Sequence, residues 1–284
     1  MLIPRNDEPF SIGYTSITEI DGKHSDMLMD FGILRVEAGS PFKSAVEKER
    51  AFLLMNGGVT FEWSFDGKSG SEKVARGSLL DEEPIALHVP SGAEVTISAD
   101  TGVAELAVQR TRNPKRFTPK VWKPGEYRSD RFGAGTMQDT STRTVRTIFD
   151  AATAPESAMV LGEVINHPGK WSSYPPHTHA QPEIYHFRFF PQQGFGFSEQ
   201  GDDVFKVKNA DTVTIPPNVT HPQTAGPGYA MYYIWLIPHL QNDRFGPDSR
   251  IFVDKHEWVM DSKAPIWPDV PLEKVLEHQK KVQK

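Results

Sequence analysis

Hydrophobic and polar residues alternate along most of the chain, which is the pattern of half-buried β-strands. Asp66-Gly67, near the end of one alternating stretch, is a pair typical of a tight hairpin turn. Only the tail from Pro271 has helical spacing, with Leu272, Val275 and Leu276 on one side. The pattern predicts an all-β protein with a short C-terminal helix. The alternating stretches, each broken by Gly, Asn, Asp or Pro, are residues 28–39, 50–70, 85–111, 159–169, 203–209, 211–217 and 231–240.

One layout of strand, proline-containing turn and strand occurs twice. It is found in HVPSGAEVTI, residues 88–97, and again in TIPPNVTH, residues 214–221. This internal repeat suggests two copies of one β-fold. Between them, residues 112–150 are rich in Pro, Gly and charge and indicate a linker-like crossing. We therefore predict an N-terminal domain over residues 1–115 and a C-terminal domain over residues 116–284.

Composition and charge exclude several classes of function. The chain of 284 residues has no cysteine, so a bound metal must use nitrogen and oxygen donors. The formal net charge of -6 gives no basic surface for a nucleic acid. No apolar run is long enough to span a bilayer, and the first ten residues lack a signal pattern. We expect a cytoplasmic protein that binds neither nucleic acid nor membrane.

The strongest chemical signal is a set of three histidines and one glutamate. His177 and His179 point to one face of an extended chain, and Glu183 shares their parity if the chain stays extended. A Pro-Pro-Asn turn then precedes His221 and can return it beside the first pair. This donor set would hold a divalent cation with positions open for substrate. A histidine pair alone would more often have a structural role. The segment with the Pro-Pro-Asn turn and His221 is what favours a metal site.

The N-terminal copy lacks the pair of histidines. His88 is its only candidate ligand near the equivalent turn, so we expect no metal in that domain.

The motifs also resemble a known family. The spacing of His177, His179, Glu183 and Gly194, followed by Pro216, Asn218 and His221, resembles the two cupin motifs. Residues 171–179, 183–197 and 215–237, with HEWVM at 256–260, resemble the 5-deoxy-glucuronate isomerase family. The resemblance implies a two-domain bicupin of antiparallel β-barrels with one divalent metal held by the three histidines and the glutamate. It departs from the family at the short Ala180–Pro182 loop, where an acidic residue is usual after the histidine pair.

The same resemblance implies a metal-dependent aldose–ketose isomerase that converts 5-deoxy-glucuronate to 5-dehydro-2-deoxy-gluconate in myo-inositol breakdown. A divalent cation would chelate the carbonyl and neighbouring hydroxyl and stabilise an enediolate. Zn²⁺ fits the donors, and Mn²⁺, Fe²⁺ or Ni²⁺ fit nearly as well. The alternatives are an isomerase of another uronate, such as pectin-derived 5-keto-4-deoxyuronate, a cupin dioxygenase, or a sugar-binding cupin.

Four further residues are candidates for the chemistry of a sugar acid. Tyr185 shares the parity of Glu183 and is the candidate catalytic phenol, although it could equally be a core aromatic. Arg188 and Arg143 are candidate substrate-binding residues, because a guanidinium suits a carboxylate. Tyr233 is a third candidate, because Tyr232 and Tyr233 lie on opposite faces of their strand and one of them should face inward. Arg188 lies on the opposite face of its strand unless a bulge re-aims it, and Arg143 could simply protect an exposed strand edge. Exposed edges of β-rich barrels often pair between subunits, so a homo-oligomer remains open.

Overall fold

The computed structural model describes residues 1–5 and 9–282, and it is built almost entirely of antiparallel β-strands. Two short helices, α1 (Asp254–Glu257) and α2 (Leu272–Val282), follow the last long strand. Single 3₁₀ turns occupy Ser25–Met27, Met137–Asp139, Pro247–Ser249 and Trp258–Met260. The strands are β1 (Leu2–Ile3), β2 (Gly13–Thr18), β3 (Asp30–Glu37), β4 (Phe42–Ser44), β5 (Glu49–Phe65), β6 (Lys68–Arg76), β7 (Ala86–Val89), β8 (Glu94–Ala99), β9 (Val103–Thr111), β10 (Lys120–Trp122), β11 (Arg128–Phe132), β12 (Arg143–Phe149), β13 (Met159–Asn166), β14 (Trp171–Ser172), β15 (His177–Thr178), β16 (Glu183–Phe190), β17 (Phe195–Gln200), β18 (Asp203–Lys208), β19 (Thr212–Ile215), β20 (Gln223–Ala225), β21 (Ala230–Pro238) and β22 (Ile251–Phe252).

The strands form two barrels, one in each half of the chain. In the N-terminal half, β10-β7-β5-β9-β3-β2 form one layer, and the far end of the long strand β5 pairs with β6 and β8 in the other. In the C-terminal half, β1-β19-β16-β21-β13-β12-β11 face the smaller sheet β14-β20-β17-β18. Each barrel encloses its own apolar core. The predicted all-β bicupin architecture is confirmed.

Several local predictions are also confirmed. The hairpin between β5 and β6 turns at Asp66-Gly67, with φ of 54° and 71°. Glycine tolerates this left-handed conformation at no steric cost, and aspartate is among the few other residues that adopt it readily. The terminal helix α2 buries Val275 and leaves Leu272 and Leu276 exposed.

Sheet membership differs from the predicted domain limits at both ends of the N-terminal half. Leu2 and Ile3 pair with Val213 and Thr212, so the start of the chain adds an edge strand to the C-terminal barrel. Strand β10 lies beyond residue 115 yet pairs with β7 of the N-terminal barrel. Residues 112–150 are also more ordered than a linker, since they contain β10, β11 and β12. Backbone pairing between segments distant in sequence decides these memberships, and local composition does not record it.

The central strands of the two barrels bury both faces. On β16, Tyr185, Phe187 and Phe189 point into the C-terminal barrel, and Ile184 points to a core shared with the N-terminal half. Strand β5 divides in the same way, with Phe52 inside its barrel and the neighbouring Ala51 and Leu53 in the shared core. The barrels therefore pack through the outer faces of their main sheets. This packing explains why β16 and β21 are buried at nearly every position.

A buried ionic cluster crosses the same interface. The Glu163 carboxylate accepts hydrogen bonds from Arg76 at 2.8 and 3.0 Å, from Arg146 at 2.8 Å and from the Tyr232 hydroxyl at 2.7 Å. Arg76 comes from the N-terminal barrel, and the other three residues come from the C-terminal one. All four side chains are buried, so the cluster is a desolvated ionic contact between the two barrels.

The two barrels are equivalent residue by residue around their main turns. In each barrel, the first part of the central strand pairs with a short strand that ends at a proline: Arg50 lies opposite Val89, and Glu183 lies opposite Ile215. Two residues after each proline, Gly92 (φ 77°) and Asn218 (φ 61°) adopt the left-handed conformation. Their amides donate to the carbonyls of Val46 and His179, at 3.3 and 2.8 Å.

This register pairs each ligand candidate with an N-terminal residue. Ser44, Val46, Arg50 and Val95 hold the positions of His177, His179, Glu183 and His221.

A C-terminal strap, residues 239–260, follows β21 and returns across the C-terminal barrel. Its strand β22 pairs with β15, with Phe252 opposite His177 and Ile251 opposite Thr178. The strap therefore lies directly against the first candidate ligand. Neither helix in the described part of the chain combines the length and apolar character needed to cross a bilayer.

Candidate metal centre

Two turns bring the candidate ligands together. Pro175 and Pro176 lead into the two-residue strand that begins at His177, and the chain then bends at residues 180–182 before Glu183 starts β16. The turn after β19 is tied to this bend by the 2.8 Å hydrogen bond from the Asn218 amide to the His179 carbonyl. His221 follows in an extended segment, two residues before β20 rather than at its start. The predicted return of His221 to the first pair is confirmed.

Each of the three histidines has one ring nitrogen committed to a backbone carbonyl two residues away. Nδ1 of His177 lies 3.0 Å from the Pro175 carbonyl, Nδ1 of His179 lies 2.9 Å from that of Gln181, and Nδ1 of His221 lies 2.8 Å from that of Val219. A carbonyl only accepts, so Nδ1 carries the proton in each ring. In the neutral form of each ring Nε2 then keeps its lone pair, which is the tautomer that metal-bound histidines adopt.

Glu183 brings a carboxylate into contact with two of these lone pairs. Its Oε2 lies 3.3 Å from Nε2 of both His179 and His221, and all three residues are buried. Their donor atoms lie within 4.8 Å of one another. Burial lowers the pKa of His221 despite the neighbouring carboxylate. Two ring nitrogens and one carboxylate oxygen thus converge, and a cation at that point could bind all three. These residues fit a divalent metal with nitrogen and oxygen ligands.

His177 lies beside this cluster. Its ring centroid is 5.0 Å from that of His221, and it lines the same cavity, but its nitrogens fall outside the group whose donor atoms lie within 4.8 Å. Burial, reinforced by His221, lowers the pKa of His177 to about 2, so its ring is neutral and able to bind a cation.

The cluster forms one wall of a cavity of about 240 Å³ inside the C-terminal barrel. Glu183 is the one acidic side chain among the described residues that line it. Two arginines line it as well, so its protein charges sum to a positive value before any metal is added. Aromatic and aliphatic side chains supply the remaining wall. The residues that line the cavity around the ligand candidates are Phe132, Arg143, Val145, Val164, Ser172, Ser173, Tyr174, Pro175, Tyr185, Tyr233, Trp235, Phe245, Arg250, Phe252 and Met260.

The two candidate phenols lie next to the cluster. The Tyr185 hydroxyl is 3.3 Å from Oγ of Ser173, and burial together with the Glu183 carboxylate raises its pKa well above 10. The Tyr233 hydroxyl is 2.6 Å from Oγ of Ser172, and burial raises its pKa to about 12. Both phenols therefore hold their protons at neutral pH and can donate hydrogen bonds into the cavity.

The candidate arginines separate. Arg143 lines the cavity, where its Nη1 donates to the carbonyl and hydroxyl of Ser141, at 2.8 and 2.9 Å. Its strand β12 pairs with β11 and is therefore not a sheet edge. The alternative role of Arg143, protection of an exposed strand edge, does not apply. Arg188 lies outside the cavity. It projects from the opposite face of β16 and pairs with Glu105 of the N-terminal barrel at 2.8 Å. Its expected contact with the substrate at this site is wrong, because β16 runs without a bulge and parity sends Arg188 to the interface.

His88, the N-terminal candidate, is committed elsewhere. Its Nε2 lies 2.7 Å from the buried carboxylate of Glu49, and its ring stacks on Phe149 with centroids 4.1 Å apart. Glu49 also accepts hydrogen bonds from Ser157, Asn113 and the amide of Ala158. His88 is thus part of a second polar contact between the two halves of the chain.

Sequence reasoning missed the contribution of the strap. Phe245, Arg250, Phe252 and Met260 all line the cavity, although they lie beyond the last barrel strand. Their local sequence carries no ligand motif. Only the pairing of β22 with β15 shows that these residues return to the site.

Comparison with known proteins identifies the family of the chain. A family model described as the KduI/IolB family matches residues 2–259. The chain belongs to the KduI/IolB family. The 5-deoxy-glucuronate isomerase of Geobacillus thermodenitrificans is 31% identical over 196 residues, covering 63% of this chain and 67% of that protein. The enzyme of the same name from Bacillus subtilis strain 168 is 25% identical over 275 residues, covering 88% and 95%.

Solved structures support the fold of this KduI/IolB family member. An IolB-like protein from Salmonella typhimurium LT2 superposes with a TM-score of 0.77 at 21% identity, covering 91% of this chain and 98% of its own. An oxalate decarboxylase from Lactobacillus farciminis superposes with a TM-score of 0.66 at 12% identity, covering 97% and 93%. At these identities the likeness concerns the double-barrel fold.

Proposed function

We propose that this protein is a metal-dependent aldose–ketose isomerase that converts 5-deoxy-glucuronate to 5-dehydro-2-deoxy-gluconate. The observation that carries the proposal is the convergence of His179 Nε2, Glu183 Oε2 and His221 Nε2 on one wall of the cavity. Membership of the KduI/IolB family and the names of its relatives supply the reaction and the sugar acid.

His177, His179, Glu183 and His221 would hold one divalent ion. Three neutral imidazoles and one carboxylate suit Zn²⁺, Mn²⁺, Fe²⁺ or Ni²⁺. An ion bound there would supply Lewis-acid chemistry, polarising the substrate carbonyl and lowering the pKa of the neighbouring hydroxyl. His177, which lines the same cavity beside His221, would supply the remaining ligand.

The chain's own residues orient the sugar acid and manage protons. Tyr185 and Tyr233 remain protonated, so each donates a hydrogen bond to a substrate oxygen. Tyr185 lies closer to the ligand set, with its ring 6.0 Å from that of His221, and is the group that supplies a proton to the developing oxyanion. Arg143 binds the substrate carboxylate. The apolar remainder of the wall, including Trp235 and Phe245, keeps water from the reacting carbons.

The test is isomerisation of 5-deoxy-glucuronate by the purified full chain, beside His179→Ala and a chelated sample. We expect turnover that is lost in both controls and restored to the chelated sample by a divalent metal. Turnover of 5-keto-4-deoxyuronate instead would assign the related uronate reaction. O₂ consumption by the Fe²⁺-loaded protein would assign a dioxygenase, and saccharide binding without turnover would assign a sugar-binding cupin. The cytoplasmic location, the homo-oligomer and the absence of a nucleic-acid partner stay predictions.

A further inference from the structure

The strap places a second cation at the cavity. Arg250 lies one residue before β22, whose pairing with β15 sets Phe252 opposite the candidate ligand His177. The Arg250 guanidinium lies 6.0 Å from the ring centroid of Phe245, and that ring lies 5.1 Å from His179. Arg250 is therefore held in register with the ligand cluster although it belongs to no barrel strand.

The charge of Arg250 is not neutralised within the protein. Arg250 lines the cavity with an exposed side chain and forms no ion pair with any residue in 1–5 or 9–282. Arg143 lies on the barrel strand β12 and donates to Ser141. In the same described ranges it likewise has no carboxylate partner. The two guanidiniums are close enough that Arg250, together with burial, lowers the pKa of Arg143.

Two guanidiniums without a carboxylate partner line one cavity. Most cations at the other buried sites of this chain have a carboxylate partner: Arg76 and Arg146 share Glu163, and Arg188 has Glu105. Glu183 forms no ion pair with Arg143 or Arg250, and its Oε2 lies 3.3 Å from Nε2 of both His179 and His221. The cavity thus provides a place for an external anion within reach of the ligand set.

We propose that Arg250 and Arg143 together form the carboxylate-binding site for the substrate, with Arg250 as its specificity-determining residue. The inference rests on the proposed function and adds to it the strap as part of the substrate site. Arg143 approaches from the barrel wall and Arg250 from the strap, so the carboxylate is bound between a fixed strand and the segment that closes the cavity. A sugar acid is thereby selected over its uncharged analogue.

The experiment measures binding rather than turnover, so that it remains informative if 5-deoxy-glucuronate is not the substrate. Gluconate and gluconamide serve as probes of the same size that differ in charge, titrated calorimetrically into the Zn²⁺-loaded full chain. The variants are Arg250→Gln and Arg250→Lys. Lys255→Gln is the matched control, because Lys255 is exposed on the neighbouring helix α1 and does not line the cavity.

We expect Arg250→Gln to weaken gluconate binding by roughly 10- to 100-fold, as for loss of a charged hydrogen-bonding partner, and to leave gluconamide binding within about twofold. Arg250→Lys should recover part of the loss, and Lys255→Gln should match the wild type. Zinc content of one per chain in all variants shows that the site is intact. Equal weakening of both probes, or unchanged gluconate binding by Arg250→Gln, would overturn the proposal. Failure of the wild type to isomerise 5-deoxy-glucuronate would overturn the proposed reaction and leave this result standing.

Discussion

Arg50 and Glu183 occupy the same position in the two barrels. Each is at the start of the central strand, opposite the residue that precedes the turn proline, Val89 or Ile215. Glu183 supplies a carboxylate to the cluster of candidate ligands, whereas Arg50 supplies a guanidinium that donates to Ser44 Oγ at 2.8 Å and to the carbonyls of Pro90 and Ala93. The N-terminal barrel thus has a positively charged side chain at the position where the C-terminal barrel has a carboxylate that can bind a metal cation.

Replacement of Arg50 should therefore affect stability and leave the metal site alone. Burial lowers the pKa of Arg50 to about 10, so it is charged at neutral pH and held by its three oxygen acceptors. We expect Arg50→Ala to lower the free energy of unfolding by about 2–4 kcal/mol, through a cavity and unsatisfied acceptors. Urea denaturation measures the loss. The exposed Lys43→Ala should cost under about 0.5 kcal/mol. A change in metal content in Arg50→Ala would contradict the separation of the two barrels' roles.

Neutralising Glu163 should weaken the contact between the barrels. Glu163→Gln leaves Arg76 and Arg146 buried without a counter-charge, and breaking a buried ion pair in this way costs about 3–5 kcal/mol. Denaturant titration should show that loss. The comparison is Asp21→Asn at the exposed pair with Arg112, where we expect under about 1 kcal/mol. Equal effects of the two substitutions would mean that the buried cluster does not hold the barrels together.

Removal of the Tyr185 hydroxyl should slow turnover without loss of metal. The phenol is protonated at neutral pH and lies beside the ligand cluster, so Tyr185→Phe removes a proton donor and keeps the ring packing. We expect kcat to fall about 100-fold with metal content unchanged. Tyr232→Phe is the matched control, because Tyr232 faces Glu163 on the other side of its sheet. Full activity of Tyr185→Phe would leave this tyrosine as a core aromatic.

His186 should make the fold sensitive to mild acid. Burial lowers its pKa well below the usual 6.5, with further lowering by Arg188 and Arg5. The native ring stays neutral while the unfolded chain takes up a proton, so stability falls as pH drops below 6.5. Relative to wild type, His186→Leu should lose less stability on going from pH 7 to 5, by up to about 1.4 kcal/mol per pH unit.

The control for that measurement is Thr212→Val. It removes the same hydrogen bond to His186 Nδ1 but keeps the titrating ring, so it should retain the wild-type pH slope. Parallel pH profiles for His186→Leu and wild type would show that the ring does not titrate on unfolding.

Much of the fold could be read from the chain because its determinants are local. Alternation of polarity, the Asp66-Gly67 pair and the spacing of Leu272, Val275 and Leu276 act over a few residues, and the structure has strands, a hairpin and a helix at those places. The spacing of His177 and His179 and the Pro-Pro-Asn turn before His221 likewise encode a local geometry. Sequence by itself determined the all-β bicupin fold and the set of candidate ligands.

Only the tertiary structure decided which side chains line the same cavity or interface. Arg188 has the charge that suits a substrate carboxylate, but both faces of β16 are buried and its face belongs to the neighbouring barrel. Arg250 has no local signal at all, and it reaches the cavity because β22 pairs with a strand more than seventy residues earlier. Membership of β1 and β10 in their sheets was decided in the same way. Hydrogen-bonded pairing between distant segments follows from the packing of the whole chain, whereas periodicity reports only what each segment prefers.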